Sequence, residues 1–335
     1  MAVSSGHALR YSWTMKQGPF VPASPLRRPV RDKSASALVR TLGSSKVSLF
    51  QEDCIEGMRR RLSRGSVSVV VTSPPYNLGV KYSRYQDDVP RADYLSWLGR
   101  WADAVEEVLS EQGSIFLNVG SKPSDPWVPF QVALEMRKRF HLQNVIHWIK
   151  SIAIEKQDVG DYPGMDRNVA VGHFKPIQSA RFLNDCHEFV FHLTKTGRVP
   201  LDRLAIGVEY QDKSNVTRWA SSKGDRRCRG NTWFVPYGTI RNRGAQRPHP
   251  ATFPVELARK CIRLHGLSRT DLVLDPFLGI GHAGAAAVSL GLDFVGFELD
   301  ETYLREAMDR IRRSALRTRD GRGRAAPALP PGRRG

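Results

Sequence analysis

The sequence predicts an α/β fold with a doubly wound sheet, and three observations lead to this prediction. Apolar runs of strand length alternate with segments of helical apolar spacing through residues 46–149. The same alternation returns over residues 254–297, around a glycine-rich loop. From about 155 to 247 it weakens, and short apolar pieces such as 189–193 are separated by polar loops. We therefore expect one α/β sheet that is interrupted by an inserted region.

The first part of the chain contains four predicted strands and three predicted helices. The strands lie at residues 46–51, 66–72, 114–119 and 142–149, and the helices at 56–62, 93–109 and 128–139. The helix at 93–109 carries large apolar side chains at helical spacing. This spacing predicts ordinary core contacts for Tyr94, Leu98, Trp101, Val105 and Val108.

The second part repeats the order of strand and helix. Pro254 suits the first turn of a helix, and Gly266 suits the position just after its end. A strand at 271–274 then leads into a glycine loop and an Ala-rich helix. The next strand, at 293–297, presents Glu298 at its carboxyl end.

The net charge of +18 is concentrated at the two ends of the chain. Residues 1–40 hold seven Lys or Arg against one Asp, and residues 312–335 hold eight Arg against one Asp, so 13 of the 18 net positive charges lie there. Both ends are rich in Pro, Gly, Ser, Ala and Arg, which predicts disordered tails over 1–43 and 314–335. Such tails favour a polyanionic partner, although a solvated tail with no partner is the alternative.

The remaining composition argues against several classes of protein. The sequence contains no apolar run of 18 residues, so we expect no membrane span. Its four cysteines form no CxxC pair, which argues against a zinc site and a disulfide framework. We therefore expect no bound metal, and a reducing cytoplasm as the compartment.

A candidate catalytic loop follows the strand at 66–72. The ring of Pro75 restricts Pro74, so the Pro74 carbonyl is held outside any hydrogen-bond ladder. With the Ser73 hydroxyl beside it, this carbonyl offers a second acceptor for an exocyclic amine, and Tyr76 offers a flat face for an extruded base. The alternative for this segment alone is a Pro-Pro strand terminator on a surface loop.

The glycine loop indicates a nucleoside site. Strand, glycine loop, helix, strand and terminal acid form a unit in which glycines admit close backbone approach and a carboxylate accepts both ribose hydroxyls. Glu298 follows Gly279 by 19 residues, the expected interval. The spacing of Gly279, Gly281 and Gly284 also fits a dinucleotide fingerprint, but a dehydrogenase has no use for the Ser-Pro-Pro-Tyr loop.

These motifs together resemble the beta class of amino-directed DNA methyltransferases. The resemblance rests on Ser73-Pro74-Pro75-Tyr76, on residues 249–254 and on the run from Asp275 to Gly281, and it covers about residues 46–313. It implies a Rossmann-like methyltransferase sheet that is circularly permuted. The catalytic half would occupy 44–155, a target-recognition insert 156–247, and the half that binds S-adenosylmethionine (AdoMet) 248–313.

The resemblance also implies roles for individual residues. Ser73, Pro74, Pro75 and Tyr76 would be catalytic. Ten residues would bind AdoMet: Asp53, Thr72, Phe253, Pro254, Asp275, Pro276, Phe277, Gly279, Gly281 and Glu298. Within this set, Glu298 would hold the ribose and Asp53 would reach the adenine amino group. His282 departs from the family pattern, which usually has a small hydroxyl residue there, so a contact to the cofactor carboxylate is not expected from it.

The target base is less constrained than the reaction. Within the resemblance, Ser73 favours cytosine N4, whereas Asp at this position is more common in adenine-N6 enzymes. Methylation at cytosine C5 needs a Cys nucleophile, and the four cysteines lie outside any Pro-Cys loop. A non-catalytic member of the fold, or an enzyme that acts on RNA, is the alternative from a different class.

Basic residues in the insert favour double-stranded DNA as the partner. The candidates are Lys175, Arg181, Arg218, Arg226, Arg227, Arg229, Arg241 and Arg243. A solvated loop face is the alternative for most of them individually. The resemblance further implies a cognate restriction endonuclease, a homodimer, and a prokaryotic cytoplasmic enzyme that associates with the nucleoid.

Overall fold

A computed structural model describes residues 37–80, 87–172, 179–218, 224–236 and 252–319. Within these residues, eleven strands are present: β1 Ala37–Leu42, β2 Ser45–Gln51, β3 Val67–Thr72, β4 Leu109–Val119, β5 His141–Ile149, β6 Ile152–Ile154, β7 Val169–Val171, β8 His187–Thr194, β9 Thr232–Phe234, β10 Leu272–Asp275 and β11 Asp293–Glu298. Nine of them form one sheet in the order β1-β2-β11-β10-β3-β4-β8-β5-β9, and β6 pairs with β7 separately.

The helices over the same residues are α1 Cys54–Arg61, α2 Arg91–Val108, α3 Val128–Met136, α4 Lys156–Val159, α5 Ser214–Arg218, α6 Val255–His265, α7 His282–Ser289 and α8 Glu301–Arg319. Helices α1, α2 and α3 cover one face of the sheet, and α6, α7 and α8 cover the other. Successive side chains of a strand alternate between the faces, so Val69 and Val71 pack under α6 to α8 whereas Val70 packs under α1 to α3. The predicted doubly wound α/β fold is therefore confirmed.

The parallel strands bring the predicted motifs to one edge of the sheet. Strands β2, β11, β10, β3 and β4 are mutually parallel neighbours, so their carboxyl ends meet along that edge. Strand β8 runs antiparallel to β4 and therefore begins there. Ligands of open α/β sheets bind in the crevice outside such carboxyl ends, which is where the catalytic loop and the glycine loop both lie.

Two elements correct the prediction of disordered tails. Strand β1 lies inside the span 1–43, pairs with β2, and packs Leu38 and Leu42 against the core. Helix α8 extends six residues into the span 314–335, because Ala315 continues the apolar stripe of Ile311 and is buried. Residues 1–36 and 320–335 lie outside the described part of the chain.

The predicted insert also needs a correction. Strand β8 falls within 156–247, yet it lies inside the sheet between β4 and β5, and β9 extends the sheet at its edge. Residues 187–194 show little alternation of apolar and polar side chains. Val190, Phe191 and Leu193 are all buried, so the segment lacks the pattern of a half-exposed strand. The described segments that leave the sheet are 155–172, 179–186, 195–218 and 224–231.

The other predicted strands and helices agree with the structure to within a few residues, except that β4 begins at Leu109 instead of residue 114. The predicted core residues of α2 are buried. Among the described residues, no helix is long and apolar enough to cross a membrane, and no cluster of His, Cys, Asp and Glu could hold a metal ion.

Candidate functional site

A deep cleft opens at the carboxyl edge of the parallel strands. The space between its walls is about 1150 Å³, including the solvent at its open mouth. Its walls come from both halves of the chain. They include the following predicted site residues: Asp53, Ser73, Pro74, Pro75, Tyr76, Phe253, Pro276, Phe277, Gly279 and Glu298. The structure thus brings the two motifs to opposite sides of one cavity.

The glycine loop forms the wall beside β10 and β11. Gly281 caps α7 in a left-handed conformation with φ of 80°, where a Cβ atom would lie 2.9 Å from the Cβ of Ala307. Gly279 also has a positive φ, of 50°, and its N–H donates a 2.9 Å hydrogen bond to Glu298 Oε2. Side chains at these positions would strain the backbone or displace α8, so the loop requires glycine.

Glu298 ends β11 with its carboxylate held by the backbone. Oε2 accepts from Gly279, and Oε1 accepts from the N–H groups of Leu299 and Asp300, each at 3.0 Å. Burial raises the pKa of this carboxyl to about 7, although the three backbone donors oppose the rise. The carboxylate lines the cleft where a ribose could meet it.

Four predicted cofactor residues do not line the cleft: Thr72, Pro254, Asp275 and Gly281. Thr72 and Asp275 are buried behind its wall, and the Thr72 hydroxyl donates a 2.6 Å hydrogen bond to Asp275 Oδ1. The same oxygen accepts from the Phe277 N–H at 3.1 Å. Burial raises the pKa of Asp275 to about 7. These contacts shape the loop that carries Phe277.

Acidic and aromatic side chains form the rest of the cofactor side of the cleft. Asp53 caps α1, where its Oδ1 accepts from the Ile55 and Glu56 N–H groups. Phe277 is held by two rings of α2, with centroid distances of 5.6 Å to Trp97 and 5.5 Å to Trp101. The sequence predicted only core contacts for α2, so the supporting role of its indoles was missed.

The Ser-Pro-Pro-Tyr loop forms the opposite wall. The Ser73 and Tyr76 hydroxyls lie 2.6 Å apart, and Tyr94 donates a 2.9 Å hydrogen bond to the Pro75 carbonyl. The Pro74 carbonyl accepts no hydrogen bond from any residue that the structure describes. Tyr94 therefore anchors the loop through Pro75, while the carbonyl of Pro74 stays available as an acceptor.

The end of this loop is fixed by a buried carboxylate. Asn77 has a left-handed backbone with φ of 57°, and its N–H donates to Asp87 Oδ1 at 2.8 Å. Asp87 Oδ2 accepts from the N–H groups of Leu78 and Val80. Burial raises the pKa of Asp87. The conformation of residues 77–80 thus depends on one acid that lies ten residues further along the chain.

Three polar residues behind Tyr76 were not predicted from the sequence. Asn118, near the end of β4, donates through Nδ2 to Tyr76 Oη and to Glu188 Oε2, each at 2.7 Å. Glu188, near the start of β8, accepts a 3.1 Å hydrogen bond from Lys150 Nζ through its other oxygen. These residues are separated by up to 70 positions in sequence, so no local pattern could have grouped them.

Two further residues of the cleft bear on the chemistry. His282 begins α7 with its ring 6.4 Å from that of Phe253. Cys54 lines the cleft but is buried, and burial together with the nearby Asp53 raises its pKa well above the ordinary value. Cys54 is therefore a protonated thiol and a poor nucleophile.

The predicted DNA-binding residues have mixed environments. Lys175, Arg241 and Arg243 lie outside the described residues. Arg181 is exposed with its guanidinium 5.1 Å from the Phe182 ring, and Arg218 and Arg227 are exposed. Arg226 and Arg229 instead donate to the carbonyls of Gly207 and Ile206. The last two guanidinium groups stabilise the insert itself, which reduces their availability for DNA.

Comparisons with known proteins agree with this arrangement. The type II methyltransferase M.Cfr9I of Citrobacter freundii is 28% identical to this chain, and the match covers 79% of this chain and 87% of M.Cfr9I. The type II methyltransferase M.HpaI of Haemophilus parainfluenzae is 24% identical, and the match covers 75% of this chain and 70% of M.HpaI. The DNA adenine methyltransferase YhdJ of Escherichia coli (strain K12) is 22% identical, and the match covers 80% of this chain and 84% of YhdJ.

The fold has a solved counterpart. The cytosine-N4-specific PvuII DNA methyltransferase superposes with a TM-score of 0.55 at 18% identity, over 83% of this chain and 94% of its own. At this identity the match concerns the fold alone. The family model for DNA methylases of the N6/N4 type matches residues 67–309, which span both walls of the cleft. The chain therefore belongs to the N6/N4 DNA methylase family of AdoMet-dependent amino-methyltransferases.

Proposed function

We propose that the protein transfers the methyl group of AdoMet to the exocyclic amine of a flipped-out base in double-stranded DNA, and that the base is cytosine, modified at N4. The observation that carries this proposal is the pairing of two walls in one cleft. Ser73 and Pro74, whose carbonyl accepts no hydrogen bond from the described residues, line the same cavity as Glu298 and the glycine loop. An amine acceptor site and a nucleoside site thus share one space.

The cofactor side of the cleft suits AdoMet. Asp53, Glu298 and Asp300 line it together with Phe277 and Phe297, and its described lining contains no Lys or Arg. Acids and aromatic rings without competing cations favour a positively charged sulfonium ligand, and Glu298 presents a carboxylate for ribose hydroxyls. AdoMet supplies a methyl group on a sulfonium leaving group, so this chain has to supply alignment and polarisation.

The catalytic loop provides the polarisation. Ser73 Oγ and the Pro74 carbonyl would accept hydrogen bonds from the two N–H groups of the target amine, which draws the nitrogen lone pair out of conjugation with the ring. The nitrogen would lose one proton after the methyl group has left the sulfonium. Tyr76 would stack on the base after it leaves the duplex, offsetting part of an unstacking cost of a few kcal/mol. Tyr94 and Asp87 fix the two ends of the loop, so the acceptors need little reorganisation when the base arrives.

The choice of cytosine rests on Ser73 and on the resemblance stated above. The relatives include an adenine methyltransferase, and adenine N6 is the alternative substrate. Methylation at C5 is disfavoured because the cleft cysteine, Cys54, is held as a thiol. We also propose the permuted order of the two halves, which is supported by the pairing of the early strand β3 with the late strand β10.

The partners follow from the same proposal. Double-stranded DNA would be read by the segments that leave the sheet between 155 and 231, with Arg181, Arg218 and Arg227 as exposed candidates. A cognate restriction endonuclease is proposed by analogy with the type II methyltransferases. A homodimer is proposed only from the resemblance.

Transfer of tritium from methyl-labelled AdoMet to plasmid DNA tests the activity. We expect label in duplex DNA, much less label in a structured RNA of equal length, and none with Ser73→Ala. Label in the RNA with none in DNA would replace this proposal with the RNA-directed alternative.

A further inference from the structure

The network behind Tyr76 bears on a step that the proposed function leaves open. Ser73 can assist an amine only if it presents its lone pairs to the cleft, because the amine is itself a hydrogen donor. A hydroxyl is both donor and acceptor, so Ser73 could equally point its own proton at the amine. Something in the protein has to direct that proton elsewhere.

The distances around Tyr76 limit where each proton can lie. The Ser73 and Tyr76 oxygens are 2.6 Å apart and share one proton between them. Asn118 Nδ2 can only donate, and it donates to Tyr76 Oη at 2.7 Å. Of the acceptors among the described residues, Ser73 and Glu188 Oε2, the latter 3.3 Å away, are the two that the Tyr76 proton can reach.

Glu188 biases this choice. An ionised carboxylate only accepts hydrogen bonds, and Lys150 Nζ holds the other oxygen at 3.1 Å in a largely buried ion pair whose side chains are 18% and 13% exposed. When Tyr76 donates to Glu188, its oxygen accepts from Ser73, so the Ser73 proton turns away from the cleft. Ser73 Oγ, whose remaining contact is a long 3.5 Å approach of Asn118 Nδ2, then keeps a lone pair for the target amine.

We propose that Glu188, Lys150 and Asn118 are positioning residues that set the direction of the chain Ser73 to Tyr76 to Glu188, and thereby make Ser73 an acceptor for the target amine. This inference rests on the proposed function for its chemical purpose. The direction of the hydrogen bonds is a property of the protein alone, and it can be measured without any reaction.

Glu188→Gln tests the proposal through catalysis. Lys150 attracts the amide oxygen, so the amide NH₂ group faces Tyr76 and Asn118 and reverses the chain. We expect kcat to fall by about 10- to 100-fold, the cost of one misdirected hydrogen bond in the transition state, with AdoMet and DNA dissociation constants unchanged. Adding Lys150→Met removes the ammonium group that orients the amide of residue 188. The double variant should therefore regain part of the lost kcat.

The matched control is the same change in a Tyr76→Phe background. Because Glu188 acts through the Tyr76 hydroxyl, Glu188→Gln should change kcat little once that hydroxyl is absent. An equal fall in kcat in both backgrounds would overturn the proposal. A carboxylate with a purely structural role would lower kcat by the same factor whether or not the Tyr76 hydroxyl is present. Loss of AdoMet binding in step with kcat would overturn the proposal also.

Neutron diffraction from crystals of the full chain, exchanged into deuterated water, provides the readout that needs no activity. We expect the Ser73 deuteron on the side of Tyr76 and the Tyr76 deuteron on the side of Glu188. A Tyr76 deuteron directed at Ser73 would refute the proposal even if the protein methylates DNA. The expected pattern together with absent methylation would leave this inference standing and refute the proposed function.

Discussion

The hydroxyl of Thr72 donates a 2.6 Å hydrogen bond to the buried carboxylate of Asp275, and this contact joins two strand ends that are 203 residues apart in sequence. Thr72 ends the strand that leads into the catalytic loop, and Asp275 ends the strand that leads into the glycine loop. The contact therefore sets the relative position of the amine acceptors and the proposed cofactor site.

Thr72→Val should destabilise the protein by about 1–3 kcal/mol, because it leaves a buried carboxyl without one of its two donors. Urea denaturation measures the change in the free energy of unfolding. Thr72→Ser keeps the hydroxyl and is the matched control, with an expected loss below about 1 kcal/mol. An unchanged free energy of unfolding in Thr72→Val would show that the hydrogen bond to Asp275 contributes nothing to stability.

Asp275 predicts a pH dependence of stability. Its pKa is about 7 in the folded protein and near 3.9 in an unfolded chain, so the folded state holds a proton that the unfolded state releases. The stabilisation that comes from this bound proton is fully present below about pH 4. It is lost as the pH rises through 7, at up to about 1.4 kcal/mol per pH unit. Relative to the native protein, Asp275→Asn should therefore gain stability across this window.

The exposed Asp309 provides the control for that experiment. Asp309→Asn removes one carboxylate from the surface of α8, where its side chain is 62% exposed. It controls for the loss of one negative charge without the loss of a buried carboxyl. A stability difference for Asp275→Asn that does not change with pH would show that Asp275 ionises normally in the folded state.

Glu298 predicts how AdoMet binding depends on pH. Below pH 7 the free protein holds a proton on Glu298, whose pKa is about 7, and that proton has to leave before the carboxylate accepts two ribose hydroxyls. Affinity should fall by up to about tenfold per pH unit below 7. Calorimetry should find a flat profile for Glu298→Gln, while Glu301→Gln, an exposed change nearby, should keep the native profile.

Replacing the Glu298 side chain gives a second measure of the same contact. Glu298→Ala should weaken AdoMet binding by about 1–3 kcal/mol, the range for losing a charged hydrogen-bond partner, with little effect on DNA affinity. Unchanged cofactor affinity would leave Glu298 as a structural acid that only closes the glycine loop.

Tyr76 should separate catalysis from cofactor binding. Tyr76→Ala removes the stacking face and the hydroxyl and should cut turnover severely, whereas AdoMet binding should survive because the other wall of the cleft provides it. Tyr162→Ala, at an exposed tyrosine of the insert, is the control for removing an aromatic side chain. Disappearance of AdoMet binding in Tyr76→Ala would contradict the division of the cleft into two walls.

The two basic ends should affect affinity without affecting the target sequence. Residues 1–36 hold six Lys or Arg against one Asp, and residues 320–335 hold four Arg against one Asp. Deleting both segments spares β1 and α8 and should flatten the salt dependence of DNA binding, because fewer counterions are released. Sequencing of methylated sites should find the same motif, and a changed motif would contradict the assignment of base readout to the insert.

Local patterns predicted the elements well where one face of a strand or helix is buried. The glycine loop and Glu298 were placed from spacing alone, because backbone geometry dictates glycine at Gly281. Strand β8 was not recognised as part of the sheet, since its membership depends on pairing with β4 and β5 rather than on its own residues. Helix α8 was not predicted, because its high arginine content obscures the apolar stripe that continues to Ala315.

The site was predictable only in part, for a related reason. The sequence identified the residues that belong to motifs, but the supporting contacts are long range. Tyr94 reaches Pro75 and Asn118 reaches Glu188 only after the sheet has formed. The sequence also could not show that Arg229 donates to the Ile206 carbonyl, because that contact depends on the folded insert.

Nucleoside mass spectrometry identifies which base, if any, the protein methylates. Unmodified genomic DNA is incubated with the protein and AdoMet, digested to nucleosides and analysed, with Ser73→Ala as the parallel control. We expect N4-methylcytosine in the native reaction and none in the control. N6-methyladenine would keep the reaction and correct the base, whereas C5-methylcytosine, or no methylated nucleoside at all, would contradict the account.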